Sequence, residues 1–107
     1  MTDLEITKLC AEAMGFAVIK ESKSTELPAW VTVHDTSKAV ANYDYFPLHD
    51  DAQAMALVKG LGLDIQRRTE GWHVYSRDNS SQSMTYDDDL NRAICECVAK
   101  MHLNKEK

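Results

Sequence analysis

Apolar residues repeat at helical spacing in three places along the chain. Ile6, Leu9, Cys10 and Ala13 recur at i, i+3, i+4, i+7, and Thr2 with Glu5 has the three-residue spacing of a capping box. Ala54, Leu57, Val58 and Leu61 repeat in the same way behind Asp50 and Gln53. Leu90, Ile94, Cys97, Val98 and Met101, with Ala93 beside them, predict a third helix from about Asp87 to His102. Gly15 ends the first helix and Gly60 or Gly62 the second, because glycine takes the left-handed conformation at a helix end without steric cost.

Between the helices lie two pairs of strand signals. "GFAVIKE" (Gly15–Glu21) and "AWVTVHD" (Ala29–Asp35) are rich in β-branched and aromatic residues and are separated by the polar "SKSTELP". "LDIQRR" (Leu63–Arg68) and "GWHVYSRD" (Gly71–Asp78) flank a tight "TEG" turn. Leu63 and Ile65 point to one face and Asp64 and Gln66 to the other; Trp72 and Val74 likewise oppose His73 and Tyr75. The predicted order is α-β-β-α-β-β-α, an α+β domain with a four-stranded, mainly antiparallel sheet covered by three helices in α/β/α layers. Thr36 to His49 reads as a long connection without sustained periodicity, in which "KAVANY" could add a short strand, and Asn79 to Tyr86 as a Ser-rich polar loop.

Composition narrows the classes. With 107 residues the chain is expected to form one domain, with a short charged tail from about residue 103. Hydrophobic residues at 44% and charged residues at 27% are those of a soluble globular protein. No apolar run approaches a membrane span, and Asp3, Glu5 and Glu12 break any secretory leader, which points to a cytoplasmic protein. A net charge of −5 argues against nucleic-acid binding, which rests on a basic surface. The acids are also too diluted by bases for a mimic of DNA. Cys10, Cys95 and Cys97 sit within helical patterns as reduced thiols; Cys95 and Cys97 fall on nearly opposite sides of one helix and offer no zinc spacing. No cofactor or metal is expected. "DDD" (Asp87–Asp89) reads as the acidic first turn of a helix, since consecutive helical residues diverge by about 100°.

The stretch "NYDYFPLHDDAQAMALVKGLG" (Asn42–Gly62) carries the densest candidate chemistry. Asp50 and Asp51 have a sufficient task as helix caps, whereas Tyr43, Tyr45 and Phe46 offer either stacking surfaces or aromatic anchors for a loop. Tyr43, Tyr45, His49, Asp50 and Asp51 are therefore the candidate partner-binding surface. Arg67, Arg68 and Arg77 are the candidate anion-binding set. His34 and His49 could meet near Asp35, Asp50 and Asp51 as an acid–base or metal-binding group, yet no nucleophile motif accompanies them, and no catalytic residue is assigned. "GLG" (Gly60–Gly62) sits at a helix end, where carbonyls repel phosphate.

Three segments give a resemblance. "MTDLEITKLCAEAMGF", "YDYFPLHDDAQAMALVKGLGL" and "DLNRAICECVAKM" resemble, in order and spacing, the opening helix, central segment and closing helix of the phage ABA-sandwich domain family. The resemblance covers about half the chain and leaves the Ser-rich loop and the "LNKEK" tail without counterpart. It implies α/β/α layering and a phage or prophage origin, with no established activity or cofactor. The resulting expectation is a non-enzymatic accessory protein, monomer or homodimer, that binds a protein partner in the bacterial cytoplasm, with counter-defence as one role. The alternative is a domain that binds a small anion or nucleotide.

Overall fold

A computed structural model describes residues 1–23, 28–35, 42–76 and 85–105, with side chains as far as 103. Arg77, most of the Ser-rich loop, residues 36–41 of the long connection and the end of the tail lie outside the described residues. The elements are α1 (Asp3–Ala13), β1 (Ala17–Glu21), β2 (Val31–His34), β3 (Asn42–Tyr45), α2 (Asp51–Leu61), β4 (Leu63–Arg68), β5 (Gly71–Ser76), β6 (Thr85–Asp87) and α3 (Leu90–Lys105).

The class is α+β as expected, but the expected order and sheet are corrected. Two three-stranded antiparallel sheets, β1-β2-β3 and β4-β5-β6, replace the single sheet of four strands. The two additional strands are short, four and three residues, and too short to show a period of their own. The order αβββ thus runs twice before α3 closes the chain.

The layering differs from α/β/α for a reason visible in α3. Ala93, Ile94, Cys95, Cys97, Val98 and Ala99 are all fully buried, on both sides of the helix. The helix packs against β5 and β6 on one side and against α1 and α2 on others, while α1 in turn lies on β1 and β2. Helices α1 and α3 therefore form the interior between the two sheets. One hydrophobic cluster joins Ile6, Val31, Tyr45, Leu57, Val74 and Ile94 across these elements.

Local chemistry fixes the element ends. The Thr2 hydroxyl accepts from the Glu5 amide at 3.1 Å, and Asp50 accepts from the Gln53 amide at 2.9 Å, so both expected caps form. Gly62, at φ +67, closes α2 in the left-handed conformation. The third helix starts three residues later than its acidic run. Asp87 is still in β6, its carboxylate accepts from the Asp89 amide at 2.9 Å, and Asp89 accepts from the Asn91 amide at 3.0 Å.

Gly71, at φ +131, opens β5 directly against β6. A Cβ there would lie 2.8 Å from the backbone oxygen of Asp87. Gly62 has open space around the same position. Gly71→Ala is expected to cost about 3 kcal/mol or more from strain plus collision. Gly62→Ala should cost only about 1 kcal/mol. Urea denaturation of both variants checks this; equal losses would show that β6 yields freely.

Candidate functional site

The αL turn after α1 carries Phe16 away from the helix and sets it edge-on to both tyrosines of β3. Ring centroids are 6.2 Å from Tyr43 at 75° and 5.5 Å from Tyr45 at 87°. Tyr43 and Tyr45 are two apart on a strand, so they share the inner face of the first sheet, paired with Val33 and Val31 of β2. Asp35, one residue beyond β2, is only 4% exposed, and its carboxylate accepts from the Tyr43 hydroxyl at 3.0 Å. The first turns of α2 supply Ala52, Gln53 and Ala56. Together with Met14 these residues line a cleft of about 290 Å³.

Gln53 fastens this junction. Its amide oxygen accepts from the Phe46 amide at 2.7 Å and its amide nitrogen donates to the Asp44 carbonyl at 3.0 Å. A single side chain thereby satisfies both backbone groups where β3 turns toward α2, and buried Pro47 and Leu48 fill the turn beneath it.

The candidate residues of the aromatic stretch separate by burial and by partner. Tyr45 is 3% exposed and belongs to the core. Tyr43 is half-buried and faces the cleft. Asp50 caps α2 as expected, and Asp51 accepts from the Asn91 side chain of α3 at 2.8 Å. His49 is exposed in the turn before α2. His34 pairs with Asn42 across the outer face of the sheet, Nδ1 to Oδ1 at 2.8 Å. Phe16, Asp35 and Gln53 complete the site. The αL glycine before an aromatic was a signal for Phe16, whereas nothing in spacing marks Asp35 as the partner of Tyr43.

Arg67 and Arg68 stand at the end of β4, and consecutive strand residues face opposite ways. The Arg67 guanidinium lies over the Trp72 ring, 5.0 Å from its centroid. Arg68 donates through Nε and Nη2 to the Gln66 side chain at 3.1 and 2.9 Å. Glu70 shares their shallow surface depression. The Thr69 hydroxyl, the backbone amide of Glu70 itself and His73 hold the Glu70 carboxyl below its usual range, so it remains an anion beside the two arginines. Among the described residues no group of three or more His, Cys, Asp or Glu side chains converges as a metal site, and no helix is long and apolar enough to cross a membrane.

Burial, then the hydrogen bond to Asp35 and its charge, push the Tyr43 phenol up to about 12. Burial pushes Tyr45 up further. Comparison with family models, with curated proteins and with solved structures gives no match to this chain.

Three expectations rest on this geometry. Tyr45→Ala should cost about 3–5 kcal/mol, the cost of emptying an aromatic core position; an unchanged melting temperature would mean that the ring is not part of the core. Tyr43 holds its proton more tightly folded than unfolded, so the stability this provides is complete below about pH 10 and is lost as pH rises through about 12. Asp35→Asn should lower the Tyr43 pKa, read as an earlier rise of phenolate absorbance. An unshifted titration would show that Asp35 does not act on Tyr43.

Proposed function

We propose that this chain is a non-enzymatic accessory protein of a phage or prophage that works in the bacterial cytoplasm by holding a protein partner at the cleft between Phe16, β3 and α2. The phage origin is supported by the three resembling segments alone. Binding at this place is supported chiefly by one observation: a half-exposed tyrosine and a buried carboxylate are set in an aromatic wall beside the exposed Ala52 and Ala56 of α2. Concave apolar surfaces with a few oriented polar groups are where ligands and partner side chains dock. The polar groups there favour recognition over turnover. The Tyr43 phenol is protonated at neutral pH and already donates to Asp35, so it is poised as a positioned donor and not as a base.

The small-anion alternative has less support. Of its three arginines, Arg77 lies outside the described residues, and Arg67 and Arg68 share their depression with an anionic Glu70.

The test is capture from the bacterial host followed by native mass spectrometry. The tagged protein should retain a polypeptide partner in fixed ratio. Ala56→Arg, which adds bulk and charge at an exposed wall position, should abolish retention with little change in melting temperature, while Arg68→Ala should leave it intact. Extra mass of a few hundred daltons in place of a protein, lost with Arg68→Ala, would replace this reading by the small-anion one.

A further inference from the structure

The free edge of β3 runs beside the cleft and specifies how a partner is held there. We propose that the partner contributes an extended segment that adds to this edge as a further strand, parallel to β3, with one apolar side chain turned into the cleft. This rests on the partner-binding reading above.

Three observations carry it. The first is the direction of the backbone groups. β3 is the last strand of its sheet, paired with β2 on one side and with no strand on the other among the described residues. The Asp44 carbonyl and the Phe46 amide both point away from β2, since both bond to Gln53. In a strand, the amide and carbonyl of one residue share an edge, and every second residue repeats that direction. The amide and carbonyl of Asn42 and the amide of Asp44 therefore face outward too, on two exposed residues. Two donors and one acceptor at strand spacing are the complement of a polypeptide backbone.

The second is Gln53 itself. Its side-chain amide donates to the Asp44 carbonyl and accepts from the Phe46 amide, the pair of bonds that one residue of a parallel neighbouring strand makes. The Asn42 carbonyl and the Asp44 amide form the next such pair along the edge. A residue that filled it would lie opposite Tyr43, with its side chain on the inner face, where the cleft opens between Phe16, Ala52 and Ala56. A volume of about 290 Å³ suits one apolar side chain.

The third is the contrast with the opposite edge. There β1 carries a bulge between Val18 and Lys20, and a bulge and an edge lysine are both devices that keep other strands away. β3 has neither. Its register with β2 is unbroken from Tyr45 to Asn42, and the Asp44 carboxylate accepts from the Thr32 hydroxyl of its own sheet.

The experiment is an amide NMR titration of the whole chain with a blocked pentapeptide, acetyl-SLTLS-amide. The expected result is saturable movement of the Asn42, Asp44 and Ala56 amide signals at a Kd on the order of millimolar, with slower solvent exchange of the Asp44 amide. The same peptide N-methylated at both leucines keeps every side chain but loses the donor to the Asn42 carbonyl, and should bind at least about tenfold more weakly. Asp44→Pro deletes an amide that faces away from β2 and should abolish binding, read against Asp44→Ala, which removes the carboxylate alone. Equal binding of the methylated peptide or of acetyl-SSTSS-amide, an unchanged Kd in Asp44→Pro, or no shift with acetyl-SLTLS-amide would overturn the assignment. If Ala56→Arg still abolished partner capture in that case, the partner reading would stand and only the added strand would fall. Dimerisation of the chain that Asp44→Ala keeps and Asp44→Pro loses would overturn it in favour of a second copy at this edge.

Discussion

The contact on which the rest of the structure depends is the seam between α1 and α3. Both helices carry small buried side chains, Thr7, Cys10 and Ala11 on α1 and Cys95 and Ala99 on α3, and the Cys10 thiol donates across to the Cys95 carbonyl at 3.5 Å. Such residues let two helices approach closely, and close packing is where dispersion is gained. The ends are tied. Arg92 donates to Asp3 at 2.8 Å, an ion pair that raises the guanidinium pKa further, and His102 meets Glu12 at 3.4 Å. Because Asp3 pairs with Arg92 and Glu12 with His102, the two helices run in the same direction. The contact with Cys95, and then burial, push the Cys10 thiol well above its ordinary value, so the seam stays neutral and unreactive.

This seam decides where the sheets go. A helix buried on two sides keeps only the strip of Glu96, Lys100 and Leu103 for water, so α3 needs β5 and β6 on one flank and helices on others. The buried Thr85 hydroxyl donates to the Ala93 carbonyl at 2.6 Å and ties β6 to the first turn of α3. The outer faces of both sheets are then left open to water. Thr32 donates to Asp44 at 3.1 Å on one, and His73 stacks on Tyr86 on the other, with centroids 5.5 Å apart and Tyr86 64% exposed. The cleft follows from the same constraint. With α1 fixed against α3, Phe16 must leave the helix toward β3, and α2, bound to α3 through Asp51 and Asn91, comes in from the other side.

What was legible in the chain, and what was not, follows the reach of each signal. Capping by Thr2 and Asp50, the glycine stops and the β4–β5 hairpin are set by residues within a few positions of one another, and they appear as the pattern says. The stripe on α3 was seen only in part. Cys95 reads as the side opposite Cys97 and Ala99 falls outside the stripe, because small residues look the same to a periodicity whether they face water or another helix. Strand β6 was too short to announce itself and β3 had only the end of "KAVANY" as a signal; both exist because a neighbouring strand offers its edge. At the site, the aromatic stretch was legible as a place of interest. The division between a core Tyr45 and a cleft-facing Tyr43 was not, since alternation puts both on one face and only the depth of Phe16 and α2 separates them. The Tyr43–Asp35 bond joins residues eight apart through a strand pairing that no motif encodes.

The doubled αβββ order sharpens the case that the aromatic wall is a feature of the first unit and not a by-product of folding. In each unit the third strand lies on the second in equivalent places: Tyr43 opposite Val33 and Tyr45 opposite Val31 in one, Thr85 opposite Val74 and Asp87 opposite Trp72 in the other. In each, the strand is clipped to the helix that follows, by Gln53 to Asp44 and Phe46 in the first and by Thr85 to Ala93 in the second. The second unit thus meets the same architectural demand with a threonine and an aspartate at the positions where the first has two tyrosines. Its inward threonine spends its hydroxyl on the helix, whereas Tyr43 points its hydroxyl at a buried carboxylate beside open space. A strand of this kind closes without large aromatic rings, so holding the sheet together does not by itself require Tyr43 to be a tyrosine. What does use the tyrosine is its hydroxyl bond to the buried Asp35 and its ring contact with Phe16, both at the wall of the cleft.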